Sequence, residues 1–593
     1  MNNSEFIIKY LLKKGINTAF GVTGGGAMFL NEAFRKEKKL NFIFMHHEQS
    51  AAMAAEAYFR IKNKPAILSV TSGPGGTNSL TGLIGAWIDS IPLIVISGQV
   101  ETKDLILNSK TRQIGIQEAN IQDIVKPITK YSKILNKNSD IEFEISHAIK
   151  IANEGRPGPV WIDIPLDVQS KKFVKKKSKL KLINMSKKKI INKKNKIKQT
   201  MDLIKKSKRP MILVGNGIHI SNSEKLFRSF LKKTNIPFVS TWNASDIINS
   251  DHKLYFGRPG LFGNRIANFA VQSCDLLIIL GSRLSVPITG YQMKNFSPYS
   301  KKIFVEIDNN EIKKRKIKIN LKINDDLKNF LIKFNYSIKK KMISKKLWIS
   351  RLQKTKRFLN EDNQYKKEKN FVNSFRFIHF LSKVLKGGEA IVTDMGTSFT
   401  CTMQSFKIKT NQRLFTSSGI AAMGFGLPGS IGAYFADKKK RQICITGDGG
   451  IMFNIQELQT IINYKIPVKI FIINNGGYLT MKLMQKKNFK KYIGADSKSG
   501  LSLPDLLNVA KSFGFETTKI SNEKNIKRKL LKLISNNKAC VCEIITPPMQ
   551  ELVPRVQTQM NKDGSFEPAM LDNMYPFMKK GIVNNIRKKL LFS

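Results

Sequence analysis

Between Gly447 and Gly477 the chain reads GDGGIMFNIQELQTIINYKIPVKIFIINNGG, with one acid near its start and two amides near its end. The preceding RQICIT has the apolar character of a buried strand, and GDGG is a tight turn where the chain leaves the sheet. In IMFNIQELQTIINY, Met452, Ile455, Leu458 and Ile462 fall on one helical face, and PVKIFIINN is the next buried strand. The unit is therefore β-α-β, and parallel neighbours bring their carboxyl ends to one edge of the sheet. Asp448 and Asn475, 27 residues apart, are expected to meet there. Gly447, Gly449 and Gly450 let the backbone approach a phosphate, and the helix start offers free N–H groups. One carboxylate, one amide oxygen and a loop carbonyl are hard ligands, suited to Mg²⁺ that also holds two phosphate oxygens and a water. The chemistry this predicts is the gripping of a metal–diphosphate. The bland alternative is a Gly/Asp turn with capping asparagines.

A second acid stands out in FMHHEQSAAMAAEAYFR. Glu48 opens an Ala-rich helix at the carboxyl edge of the strand NFIF, and Ala and Met around it imply an apolar cleft. There its pKa would rise and it could share a proton with a bound group. The alternative is an exposed acid at a helix start. His46 and His47 read as packing or helix-start residues.

These residues need scaffolds, and three α/β blocks supply them. The first, 1–168, ends in the Gly/Pro-bounded strand GRPGPVWIDIPLDV. A Lys-rich linker follows over 169–199, with no acid between Asp167 and Asp202. The second block, 200–335, carries RPMILVGNGI, CDLLIILGSRL and KKIFVEIDNN, apolar runs that end in Gly or an acid as parallel strands do at a ligand-facing edge. A basic connector, 336–372, leads to the third block, 373–545, and a Pro- and Met-rich tail, 546–593, is expected to act as a closing flap. All three blocks are predicted to be doubly wound parallel-sheet domains.

Composition bounds the function. A chain of 593 residues exceeds what one core organises, so about three domains are expected. The net charge of +58 invites nucleic acid or anionic lipid as a partner. The excess, however, is Lys spread through nearly every segment alongside Ile and Asn, which matches a bias towards A/T-rich codons rather than a binding face, and no nucleic-acid motif accompanies it. No apolar run approaches the ~20 residues of a membrane helix. The N-terminal MNNSEFIIKYLLKKG reads as a short amphipathic helix without a signal-peptide cleavage site. Five scattered cysteines give neither a disulfide framework nor a zinc spacing, which fits a reducing cytoplasm.

The Gly-Asp-Gly … Asn-Asn arrangement resembles the diphosphate-anchoring motif of thiamine diphosphate (ThDP) enzymes. TSGPGGTNSLTGLIGAWIDSIPLIVISG and AFGVTGGGAMFLNEAF resemble the pyrimidine-domain core of acetolactate synthase-type members, and the resemblance covers most of the chain in the same domain order. It implies that Asp448, Asn475 and the Gly477 carbonyl hold Mg²⁺. It makes Glu48 the acid beside the cofactor's pyrimidine, with Gly25, Pro74 and Asn78 as further cofactor contacts. TSSGIAAMGFGLPGSIGAYFA places Met423 beneath the bent cofactor, Met481 follows the Asn-Asn strand, and DMGTSFTCTMQSF offers Thr397 and Ser398 to the diphosphate where the family has Gln and His. RQIGIQEANIQDIVKPITKYS places Gln117 at the reacting centre. VGNGI, LGSRLSVPITG and VEIDNNEI resemble the family's FAD-binding domain, with Gly215, Gly217, Gly281, Arg283 and Asp308 as candidate contacts. A lone Gly-x-Gly leaves flavin open, because members without flavin keep the same fold. In the family, Glu and diphosphate sites come from different subunits, so the resemblance implies a homodimer or homotetramer, and it leaves a small regulatory subunit open.

Three positions depart from the family pattern: Leu166 replaces a Lys, Pro287 an Arg that meets the second keto acid's carboxylate, and Gln485 a Trp. Removing a charged fork that no neighbour replaces weakens the case for a keto-acid acceptor. The expected activity is decarboxylation of a 2-keto acid, pyruvate in the first instance, and transfer of the remaining two-carbon unit to a second carbonyl. A keto-sugar acceptor, a decarboxylase that does not ligate, and an inactive binding protein on the same fold are the alternatives. The presence of Glu48, Asp448 and Asn475 counts against the last.

Overall fold

In a computed structural model, residues 1–106, 109–176, 193–313, 316–361, 364–560, 563 and 566–592 are described. Most of the Lys-rich linker lies outside the described residues.

Strands rich in Ile, Val, Leu and Phe build three parallel sheets whose faces are both covered, which is why they read as continuous apolar runs. The first domain has β1 (Thr18–Gly21), β2 (Asn41–Phe44), β3 (Ile67–Val70), β4 (Ile94–Gln99), β5 (Tyr131–Ile134) and β6 (Val160–Pro165), in the order β2-β1-β3-β4-β6-β5. The middle domain has β7 (Pro210–Val214), β8 (Phe238–Ser240), β9 (Leu276–Leu280), β10 (Lys301–Glu306) and β11 (Leu321–Asn324), in the order β11-β10-β9-β7-β8. The third has β12 (Ala390–Thr393), β13 (Arg413–Phe415), β14 (Gln442–Gly447), β15 (Lys469–Asn474), β16 (Glu516–Ile520) and β17 (Cys540–Ile545), in the order β13-β12-β14-β15-β17-β16. Renumbered from their own first strands, the first and third sheets have one topology. In each, the strand order reverses beside the first strand, which opens a crevice at the carboxyl ends where ligands of such sheets bind.

The Ala-rich helix Glu48–Lys62 packs on the helix Gly426–Ala436 of the third domain, and Phe20, Ala52, Leu427, Ile431 and Leu458 share one core. Contact is so close that a Cβ on Gly432 would stand 2.0 Å from the Ala54 carbonyl oxygen. The small residues after Glu48 thus serve an interdomain joint.

The described part of the tail packs on the middle domain. It leaves the third domain at Leu552, and Leu571, Met574, Val583, Ile586 and Leu590 enter the core of the middle domain. Arg265 fixes it there by donating to the carbonyls of Met574 at 2.8 Å and Pro576 at 2.6 Å. The first helix, Asn3–Lys13, carries a capping box between Asn2 and Glu5. All five cysteines are buried free thiols. Among the described residues no helix is long and apolar enough to cross a membrane.

Candidate active site

In the third domain the crevice lies between the ends of β12 and β14. Gly447 pairs with Ile473 across β14 and β15, so Asp448 and Asn475 emerge side by side. Asp448, 2% exposed, accepts N–H groups of Gly449 at 2.8 Å, Asn475 at 3.1 Å and Gly477 at 2.9 Å. Burial pushes its pKa up while these three donors and Lys482 pull it down. The two amides have different work. Asn474 is structural: its side chain donates to Glu543 and accepts from the Gly476 N–H. Asn475, 3% exposed, keeps a buried side-chain oxygen with no hydrogen-bond partner, as a ligand oxygen awaiting a cation would. Among the described residues, the Gly477 carbonyl accepts a 3.2 Å contact from the Leu479 N–H and no other hydrogen bond. Carboxylate, amide oxygen and carbonyl together form a hard donor set for a divalent cation. Gly449 is required because the Tyr478 ring lies where its Cβ would stand, 2.2 Å away.

Across the crevice, Thr397 and Ser398 open the helix Thr397–Ser405, whose first N–H groups face the anion-binding position of a helix start. The Ser398 hydroxyl is committed to the Met395 carbonyl at 2.9 Å, so its backbone N–H is the donor left for phosphate. Sequence reasoning passed over Asp394, which is buried and accepts from the Thr446 hydroxyl and the N–H groups of Met395 and Gly424. It fixes the turn after half-buried Met423. Met481 sits partly exposed on the helix Leu479–Phe489.

The first domain carries a second cluster. Glu48, 8% exposed, begins its helix just after β2, and Asn78 donates to its Oε2 at 3.1 Å. Pro74 opens the short helix that ends at Asn78. Gly73 before it has φ +61, and a Cβ there would lie 2.2 Å from the Gln117 carbonyl oxygen, so the Gln117 loop rests on this turn. Gln117 itself is exposed with φ +58. Buried Glu118, also passed over, holds that loop by accepting N–H groups of Ile106, Ile114 and Gly115. Gly25 lies exposed in a turn whose next N–H, on Gly26, donates to Thr71 after β3. His47 caps its helix by accepting the Gln49 N–H. Among the described residues no hydrogen bond joins Glu48 to the Asp448 cradle. Asn454 joins the two domains beside them, accepting from Gln49 and Ser50 and donating to the Gly424 carbonyl.

The three departures also find places. Gln485 clamps the backbone of Ile493, donating at 3.1 Å and accepting at 2.9 Å. Leu166 is half-buried at the end of β6, and the Pro287 carbonyl accepts the Leu261 N–H at 2.8 Å.

Three thiamine pyrophosphate enzyme families match in this order: the N-terminal TPP binding domain over 1–123, the central domain over 197–334 and the C-terminal TPP binding domain over 394–544. A probable acetolactate synthase large subunit of Methanocaldococcus jannaschii is 34% identical over 99% of this chain and 98% of its own. The acetolactate synthase large subunit of Buchnera aphidicola is 32% identical over 90% and 92%, and that of Lactococcus lactis 30% identical over 95% of each. The chain belongs to the acetolactate synthase large subunit-like family of ThDP enzymes. It is a ThDP-dependent enzyme, and its first and third domains are the ThDP-binding ones.

In the middle domain of this ThDP enzyme, the two glycines of the Gly-x-Gly turn are taken up by their own neighbours. The N–H groups of Gly215 and Gly217 already donate to the carbonyls of Leu280 and Gly281. A Cβ on either glycine would strike the backbone of Gly281 or Ser282, so both serve loop packing. Asp308 is paired with Arg156 at 3.0 Å, and Glu306 rather than Asp308 lines the adjoining cavity with Gly217, Gly281 and Arg283. That cavity measures about 310 Å³.

Proposed function

We propose that this ThDP enzyme is a Mg²⁺-dependent carboligase that takes pyruvate as donor, releases CO₂ and forms a carbon–carbon bond between the remaining two-carbon unit and a second carbonyl compound. The observation that carries the metal is the buried, unpartnered side-chain oxygen of Asn475 beside the anchored Asp448 carboxylate. These two and the Gly477 carbonyl would hold Mg²⁺, and the N–H groups at Thr397 and Ser398 would take the diphosphate. Bound ThDP supplies the nucleophilic carbon and the electron sink. Glu48 Oε1, the oxygen not committed to Asn78, would hold and return a proton at the pyrimidine. Gln117, exposed on a loop fixed by Glu118, would orient the acceptor carbonyl. Phe44, Ile116 and Phe453, large apolar side chains left exposed near the two clusters, support a homodimer in which Glu48 of one copy serves the cradle of the other.

The absence of an Arg at Pro287 favours a second reading of the acceptor: a neutral carbonyl such as a keto-sugar rather than another keto acid. Carbon-13 NMR of labelled pyruvate with enzyme, ThDP and Mg²⁺ tests both. Labelled acetolactate supports a keto-acid acceptor. Decarboxylation that stalls until a keto-sugar is added supports the neutral one, and labelled acetaldehyde alone contradicts carboligation.

A further inference from the structure

Lys482 lies in the helix that follows the metal loop and is 2% exposed. Its ammonium donates to the Asn475 carbonyl at 2.9 Å and the Gly476 carbonyl at 3.4 Å. Among the described residues no carboxylate stands within ion-pair distance of it. Burying an ammonium without such a partner is costly, so the place calls for a reason. The loop supplies one. Gly476 and Gly477 have φ +70 and +125, and two successive glycines leave a ligand-bearing loop free to adopt many backbone conformations. Asp448 fixes the N–H groups of Asn475 and Gly477, while Lys482 fixes the carbonyls of Asn475 and Gly476. Together they pin three successive peptide planes, from 474–475 to 476–477, and leave the Asn475 side-chain oxygen as the free ligand.

We propose that Lys482 is a positioning residue that pre-organises the metal loop, acting on Mg²⁺ through Asn475 and Gly477 rather than by touching substrate. This rests on the reading of the cradle as the Mg²⁺–diphosphate site. The test measures ThDP binding to the full-length chain by calorimetry across a Mg²⁺ series, alongside the melting temperature of the metal-free protein. Supports of metal ligands are worth about 10- to 100-fold in metal affinity, so Lys482→Met should raise the half-saturating Mg²⁺ at least about tenfold. Lys482→Arg, which keeps charge and donors, should restore most of it. Lys482→Gln, with a neutral donor on a shorter stem, should fall between and serves if the Met variant does not fold. A Met or Gln variant with wild-type Mg²⁺ dependence, whether or not it melts lower, overturns the proposal. Wild-type protein that binds ThDP without Mg²⁺ overturns the metal reading and the clamp with it.

Discussion

Asp448 and Glu48 carry opposite predictions, because one is read as a ligand of the metal and the other as a carrier of a proton. Glu48→Gln keeps the shape and the Asn78 contact but cannot ionise, so turnover should fall to background while ThDP and Mg²⁺ still bind. Equal activity in that variant, measured by CO₂ release, contradicts the assignment. Asp448→Asn should lose metal-dependent ThDP binding by calorimetry, since a neutral amide replaces the one carboxylate of the cradle. These two acids were legible from the sequence because each lies within four residues of the end of a strand-like run. Asn475 could be chosen there as the ligand, but the work of Asn474 could not be read, because it depends on Glu543, a partner from β17. Lys482, Asp394 and Glu118 were missed for the same reason. Each acts on backbone groups of a neighbouring segment, and no residue-type spacing records that.

The elements were legible where burial is symmetric and opaque where glycine has two uses. Strands such as LLIIL and KIFIIN announce themselves by continuous apolar character. Met452, Ile455, Leu458 and Ile462 do share the core-facing side, although the expected single helix is a helical turn, a 3₁₀ turn and a second helix, Glu457–Asn463. The Gly-x-Gly after β7 left flavin open in the sequence, and in the fold its N–H groups donate to the Leu280 and Gly281 carbonyls. The identical order of the first and third sheets could not be read, because pairing is a property of three dimensions. Packing makes two predictions. Gly432→Ala would drive a Cβ into the Ala54 carbonyl, so the protein should lose about 1–3 kcal/mol or more by denaturant titration. An unchanged midpoint would mean the two helices can separate freely. Glu118→Ala frees three N–H groups of the Gln117 loop and should raise the KM for the acceptor while leaving ThDP affinity unchanged. A loss of ThDP affinity instead would place that loop on the cofactor rather than on the substrate.

At the scale of the molecule, charged contacts tie the domains together. Asp246 of the middle domain is buried against Arg413 and His219 and accepts the Leu414 N–H at 2.8 Å, while Arg413 also donates to the Arg60 carbonyl of the first domain at 3.0 Å. Burial alone would raise the Asp246 pKa, but Arg413 and His219 outweigh it and hold the carboxyl well below the usual range. A depressed carboxyl contributes stability that is present above the unfolded value of about 3.9 and is lost as pH falls through the folded one. The melting temperature should therefore drop below about pH 4 more steeply in wild type than in Asp246→Asn. That variant should lose about 3–5 kcal/mol at pH 7, because the largely buried Arg413 guanidinium is left without its carboxylate. Parallel pH profiles would remove Asp246 from the joint. Metal-dependent ThDP binding depends on the cradle at the end of the third sheet. Calorimetric titration of ThDP into metal-stripped protein, with and without Mg²⁺, tests it most directly. Saturable binding that appears with Mg²⁺ and vanishes on chelation is the predicted result, and ThDP binding indifferent to the metal would contradict it.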